Sequence, residues 1–202
     1  MTVHNHFEAP QRGASSVKKE LIAGVHFFIL ADIFIFAALF AGFMVERMAD
    51  IDVFNQSANQ LNPWIGIINT LILVTSGLCV VFAVSSARRG HAAATRRWLV
   101  ATFTIGAGFG LSKVLEYSAK VNSDITMHTN DFFMFYYALT GAHFLHFLGG
   151  MGALIFIWLA SYKKPVNGEL FGTIESVALY WHMVDLLWIF IFPLLYLLGG
   201  GQ

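Results

Sequence analysis

The chain has 202 residues, of which 57% are hydrophobic and 12% charged, whereas soluble domains contain about 25% charged residues. This shortage of charge excludes an ordinary soluble domain and predicts an integral membrane protein. The formal net charge is zero, so the composition offers no basic surface for nucleic acid. The single cysteine, Cys79, excludes an intrachain disulfide and a thiolate metal cage, and its apolar neighbours predict a small buried side chain.

The first 20 residues are polar and lack the apolar core of a signal peptide. We expect residues 1–20 to form a cytoplasmic tail and residues 21–202 to form a single transmembrane domain. No sequence repeat or low-complexity tract divides the second part.

Five apolar segments follow the tail, and each is long enough as a helix to cross about 30 Å of hydrocarbon. Their continuous apolar runs lack the alternation of barrel strands. Proline suits the first position of a helix, so Asn62-Pro63 predicts the start of the second spanning helix. The sequence therefore predicts an all-α polytopic membrane protein, a bundle of five transmembrane helices. The expected spans are Ile22 to Val45, Trp64 to Val84, Trp98 to Leu115 (the shortest), Phe132 to Ala160 and Glu175 to Leu198.

Lysine and arginine are unevenly distributed between the two ends of the predicted bundle. Positive charge in loops marks the cytoplasmic side, which predicts a cytoplasmic amino terminus and a carboxyl terminus outside. Nine of the twelve cations lie in the tail and in the second and fourth loops: Arg12, Lys18, Lys19, Arg88, Arg89, Arg96, Arg97, Lys163 and Lys164.

Ionisable side chains inside the spans are the informative residues, because each costs about 3 kcal/mol to insert into hydrocarbon. Asp32 lies near the middle of its span. It is predicted to be either a proton-exchanging carboxylate or a hydrogen-bonded acid that joins helices. The whole set is His26, Asp32, Lys113, Glu116, His143, His146, Glu175, His182 and Asp185.

Two spans carry their polar residues on one helical face. In the fourth span, His143 and His146 share an arc of about 80° with Gly150 and Ala153. In the fifth span, Glu175, His182 and Asp185 share a similar arc. Such faces favour close helix packing with interhelical hydrogen bonds, and a carboxylate three residues from a histidine can orient its ring.

The histidines also raise the question of a metal site. His143, His146 and His182 with a carboxylate would be chemically suitable for zinc, iron or copper. Only four histidines lie in the spans, however, and a haem–copper centre needs more ligands. We therefore expect neither an intrinsic metal nor an intrinsic haem.

Several motifs together resemble subunit III of the haem–copper oxidases, over residues 20 to 200. The run from Glu175 through Tyr180-Trp-His-Met-Val-Asp185-Leu-Leu-Trp188 resembles the last helix of that family. The family's penultimate helix is resembled by the run Gly141-x-His143-x-x-His146-(x)3-Gly150. The dipeptide Glu116-Tyr117 resembles the end of an earlier helix of the family. Asp32 occupies the place of the family's intramembrane carboxylate.

Within the family, five spans resemble the short bacterial forms. Aspartate at position 32 and the sequence Phe192-Pro193-Leu-Leu-Tyr196 resemble most closely the NorE branch, which is associated with nitric oxide reductase. Ubiquinol-oxidase subunit III is also short and can carry aspartate at this place. Lys113 departs from the glutamine often found in the family, so the resemblance assigns it no role.

The resemblance implies a non-catalytic accessory subunit of a respiratory haem–copper enzyme in the bacterial inner membrane. Such a subunit binds phospholipid, packs against a catalytic subunit that holds haem and copper, contacts other subunits of the complex and supports proton uptake. On this interpretation, Asp32 is a buried acid near the proton path. The remaining candidates join helices or contact lipid or a partner subunit: Glu116, His143, His146, Glu175, His182 and Asp185.

Two other classes of protein fit the same residues. The buried acids Asp32, Glu116, Glu175 and Asp185 would also suit a small proton or ion transporter that acts alone. A metalloenzyme would use the histidines, and metal analysis of the pure protein would decide that case.

Overall fold

The computed structural model describes residues 11–168 and 170–198, and within these it does not describe the side chains of residues 11–23 or of His26. The expected role of residues 1–20 as a cytoplasmic tail therefore lies largely outside the described residues, and so does the side chain of His26. The backbone of the first helix begins at Gln11, which is inside the segment that we expected to be a tail.

Helices account for nearly all of the described backbone. They are α1 (Gln11–Ala49), α2 (Ile51–Ala58), α3 (Pro63–Arg88), α4 (Ala92–Asn122), α5 (Asp131–Ala160) and α6 (Phe171–Phe192), and a π-helical segment, Pro193–Leu197, continues α6. Five of these are long and apolar enough to cross a membrane. The prediction of an all-α bundle with five spanning helices is confirmed.

The third span differs from the prediction. Sequence alone indicated Trp98 to Leu115, but α4 runs from Ala92 to Asn122, or about 46 Å at 1.5 Å per residue. The helix continues past the buried residues Lys113 and Glu116 because these two charges pair with each other, so the helix need not end where the apolar sequence does.

The short helix α2 was not predicted. Its first turn is capped by Asp50, whose carboxylate accepts a hydrogen bond from the backbone nitrogen of Val53. Phe54 lies on its inner face and is almost fully buried, with ring centroids 5.1 Å from Phe43 and 5.7 Å from Phe132. This aromatic contact folds the connection between the first two spans against α1 and α5.

Local sequence explains the hairpin of α3 and α4. Pro63 is the first residue of α3, as predicted, and the side chain of Asn62 caps it by accepting from the backbone nitrogen of Trp64. At the other end, Gly90 has a φ of +76°. The backbone nitrogens of Gly90 and His91 then return to the carbonyls of Ala87 and Ser86, which is a Schellman ending.

Small residues let α5 and α6 approach closely. The indole of Trp181 is fully buried, and a Cβ atom built on Gly150 would lie 2.8 Å from its Cε3 atom. This contact explains why glycine stands on the histidine-bearing face of α5, because a methyl group there has no room.

We expect Gly150→Ala to lower the stability of the bundle by about 1–3 kcal/mol, because the added methyl group overpacks the contact with Trp181. Gly152→Ala is the matched control, since nothing lies within 4 Å of its added Cβ, and alanine favours a helix over glycine by about 1 kcal/mol. Thermal unfolding in detergent measures both. Equal unfolding temperatures for the two variants would contradict this packing argument.

Candidate functional site

The buried charges of the described chain form three separate groups, of which the first two join different helices. We call them the lysine–glutamate network (Lys113 and Glu116), the aspartate–histidine pair (Asp32 and His146) and the groove pair (His182 and Asp185). The last name refers to a groove between α3 and α6 that His182 lines. The first ties α4 to α5 and the π-helical segment, the second ties α1 to α5, and the third lies between α3 and α6.

The lysine–glutamate network is centred on Lys113, which is fully buried, and Glu116, which is 8% exposed. Lys113 Nζ lies 2.9 Å from Glu116 Oε2 and 2.8 Å from the hydroxyl oxygen of Tyr196. The hydroxyls of Tyr136 and Tyr196 both donate to Glu116 Oε1, at 2.9 and 2.5 Å. Both carboxylate oxygens are thus satisfied, as a buried ion pair requires.

Aromatic rings enclose the ammonium group of Lys113. Its nitrogen lies 4.8 Å from the ring centroid of Trp188 and between 5.4 and 5.8 Å from those of Tyr117, Tyr136 and Tyr196, distances that allow cation–π attraction. Lys113, to which the resemblance assigned no role, is therefore the residue that neutralises Glu116. The spacing of three residues between them was the available signal, because it places both on one helical face.

The aspartate–histidine pair connects α1 to α5. Asp32 is 4% exposed, and its Oδ2 lies 3.0 Å from Nε2 of His146. The other ring nitrogen, Nδ1, lies 2.8 Å from the carbonyl oxygen of Ala142. A carbonyl only accepts hydrogen bonds, so Nδ1 carries a proton.

That constraint fixes the charge of the pair. With Nδ1 protonated, the contact between Nε2 and Asp32 holds one further proton, carried either by the imidazole or by the carboxyl group. Both arrangements have a net charge of zero, which lowers the cost of placing the pair in hydrocarbon. The geometry permits transfer of this proton along the 3.0 Å contact.

His143 faces a different neighbour. It is fully buried, and its Nε2 donates to the carbonyl oxygen of Val184 on α6 at 3.0 Å, while its Nδ1 has no partner among the described residues. The rings of Phe109 and Trp188 pack against it. Although His143 and His146 lie on one side of α5, the structure separates them: His143 contacts α6 and His146 contacts α1.

The groove pair consists of His182 and Asp185 on α6. Nδ1 of His182 lies 3.7 Å from Oδ2 of Asp185, so the two are close enough for electrostatic attraction but too far apart for a hydrogen bond. Gly77 of α3 faces them, and a Cβ atom on it would lie 2.5 Å from Asp185 Oδ2. The absence of a side chain at Gly77 therefore makes room for the carboxylate.

Glu175 does not join this pair directly, although it shares the same side of α6. It accepts a hydrogen bond from Arg88 of α3 at 3.2 Å, and both side chains are substantially exposed. Exposed pairs of this kind contribute about 0.2–1 kcal/mol. The partner of Glu175 could not be read from the fifth span, because it comes from another helix.

Among the described residues, no group of three or more histidine, cysteine, aspartate or glutamate side chains is arranged to hold a metal ion. The ring nitrogens of His143 and His146 that have partners point to backbone carbonyls and to Asp32. The arrangement binds helices together and holds a proton.

Five long apolar helices with paired charges between them define a polytopic helical membrane protein. A family model described as cytochrome c oxidase subunit III matches residues 6–200. The chain therefore belongs to the cytochrome c oxidase subunit III family.

Curated relatives agree with this assignment along almost their whole length. The chain is 30% identical over 205 residues to a quinol oxidase subunit 3 of Bacillus spizizenii, which covers 98% of this chain and 97% of the relative. It is 29% identical over 191 residues to a cytochrome c oxidase subunit 3 of Corynebacterium diphtheriae, covering 93% of each. Both relatives are oxidase subunits, but they are named for different electron donors.

We expect Lys113→Met to destabilise the bundle by about 3–5 kcal/mol, because it leaves Glu116 buried without its counter-charge. The double variant Lys113→Met/Glu116→Gln should recover much of that loss, since the glutamine oxygen still accepts from the two tyrosines. Thermal unfolding of the single and double variants measures the coupling.

Lys120→Met is the matched control for this experiment. Lys120 lies on the same helix, donates to the backbone carbonyl of Gln60 near the surface and lies 5.8 Å from the ring centroid of Phe133, so its loss should cost about 1 kcal/mol or less. The pairing argument fails if Lys113→Met unfolds at the same temperature as Lys120→Met.

Proposed function

We propose that this chain is a non-catalytic accessory subunit of a respiratory haem–copper enzyme. Membership of the family along residues 6–200 carries this proposal, since the relatives are named as subunits of cytochrome c and quinol oxidases. The lysine–glutamate network and the aspartate–histidine pair support it, because their charges are engaged with partners within the chain and join its helices.

In this role, the chain packs against a catalytic subunit that holds the haem and copper, contacts other subunits of the complex and binds phospholipid. It lies in the bacterial inner membrane with a cytoplasmic amino terminus. The cationic end of the bundle supports this orientation: Arg96 donates to the carbonyl oxygen of Ser161 and lies over the ring of Tyr162, 4.4 Å from the centroid. These contacts hold arginine at one end of α4 and α5, which matches the positive-inside rule.

As the finer assignment, we propose the NorE branch, whose parent enzyme reduces nitric oxide. Aspartate at position 32 and the sequence around Pro193 support this branch. A quinol- or cytochrome c-oxidizing oxygen reductase is the alternative parent, and the two differ in the gas that they consume.

Purification from native membranes tests the accessory role. A tagged copy of the chain, extracted in mild detergent, should bring down a haem-containing subunit with the spectrum of a haem–copper enzyme. Deleting the chain should lower either nitric oxide or oxygen consumption by the membranes, which distinguishes the two branches.

Two results would overturn the proposal. One is isolation of the chain as a stable protein with no haem protein attached. The other is proton or ion flux in liposomes that contain this chain alone, which would favour the independent transporter.

Asp32→Asn should lower the turnover or shorten the active life of the parent enzyme while leaving its haem spectrum unchanged. The amide keeps a hydrogen-bonding oxygen near His146 but cannot carry the shared proton. Gas consumption over repeated turnover measures the effect. Asp52→Asn, on the exposed side of α2, is the control, and a proton role for Asp32 fails if both variants match the unmodified enzyme in rate and lifetime.

A further inference from the structure

A groove between α3 and α6 reaches the arginine-rich end of the bundle, where Arg88 and Glu175 line it. Its volume is about 390 Å³. Apolar side chains of both helices form part of its lining, and the polar residues on it are Ser85, Arg88, Glu175 and His182.

On α6, the ionisable residues Glu175, His182 and Asp185 follow one another from the start of the helix toward its middle. The pair of Arg88 and Glu175 stands near the end of α3 and the start of α6. Asp185 lies ten residues beyond Glu175, or about 15 Å deeper along the helix axis. This is half of the roughly 30 Å thickness of bilayer hydrocarbon.

Asp185 lacks the hydrogen bonds that a buried carboxylate needs. Its Oδ1 is buried without a partner among the described residues, and its Oδ2 is 3.7 Å from His182 Nδ1. On α3 it faces Gly77, which has no side chain to offer a hydrogen bond. A buried acceptor without a partner costs about 1–3 kcal/mol, and more when it is charged.

Water is the hydrogen-bonding partner that best satisfies the carboxylate of Asp185 and the imidazole of His182. His182 lines the groove, its side chain is 43% exposed, and it contacts Asp185 directly. One water occupies about 30 Å³ of liquid, so the groove has room for a chain of them. A lipid acyl chain would fill the apolar walls but would leave the imidazole and the carboxylate without hydrogen bonds.

We propose that the α3–α6 groove is a water-filled half-channel through which the His182–Asp185 pair exchanges protons with the aqueous phase at the arginine-rich end. A hydronium ion in the groove gives its proton to the imidazole of His182 and leaves water behind. The carboxylate of Asp185 stabilises the resulting imidazolium. Release reverses these steps. The mouth of the groove, at its arginine-rich end, is flanked by one cation, Arg88, and one anion, Glu175. Their charges offset each other, so the mouth attracts neither cations nor anions preferentially.

Neighbouring positions on α3 give a matched test of hydration. Val81 lines the groove and is 46% exposed, whereas Phe82 is 41% exposed, lies at the same depth and packs on Trp98 of α4. In a Cys79→Ala background, Val81→Cys and Phe82→Cys are treated in native membrane vesicles with a charged, membrane-impermeant methanethiosulfonate. Since the reagent needs a hydrated thiolate, Val81→Cys should react about tenfold faster or more.

Ser85→Cys provides a second, nearly isosteric position closer to the mouth, and it should react at least as fast as Val81→Cys. Labelling should occur only in vesicles whose outer surface carries the arginine-rich end of the bundle. Equal, slow labelling of Val81→Cys and Phe82→Cys, with Ser85→Cys still reactive, would identify an acyl chain as the occupant and overturn the half-channel.

Infrared difference spectra test the proton step separately. After a pH step on the arginine-rich side, the spectrum should show a change in a carboxylate band that is lost in Asp185→Asn. Val81→Trp, which fills the groove, should delay this change. A response to pH on the opposite side, or no response on either side, would overturn proton exchange by this route.

Discussion

The structure depends on one constraint: a charge placed in hydrocarbon must find its partner within the protein. Lys113 and Glu116 meet this constraint most completely, since every oxygen of the carboxylate receives a hydrogen bond and aromatic rings surround the ammonium group. Because Tyr136 and Tyr196 supply two of those bonds, the pair also fixes where α5 and the π-helical segment lie against α4. Breaking such a pair costs more than its formation gains, so it specifies an arrangement of helices as well as stabilising one.

The three charge groups differ in how completely their polar atoms are hydrogen-bonded, and this difference separates structural from chemical roles. The lysine–glutamate network is saturated. The aspartate–histidine pair holds one proton between two atoms 3.0 Å apart, which allows a proton to move without a net change of charge. The groove pair is open, because Asp185 has an unpartnered oxygen and His182 faces a cavity. Incomplete hydrogen bonding at a buried acid is the feature that indicates exchange with water.

These roles are compatible with an accessory subunit. A protein that contributes stability and proton access to a larger enzyme needs rigid helix contacts and a few exchangeable protons, and it needs no redox centre of its own. Asp32 lies on α1, which buries a smaller share of its apolar span than the other spanning helices, and its bond to His146 is a polar attachment of that helix to α5.

The sequence by itself determined the class of protein, the five spanning helices, the start of α3 at Pro63 and the family, because hydropathy, proline chemistry and short motifs are local properties of the chain. It also singled out the buried ionisable residues, since any charge within a span is conspicuous. Only the tertiary structure decided which of them meet: Asp32 with His146, Glu175 with Arg88, and Glu116 with tyrosines from two other segments. Such pairs depend on how the helices pack and rotate against one another, which spacing along one helix cannot reveal. The existence of α2 was decided in the same way, because its Phe54 packs against Phe132, which is distant in the chain.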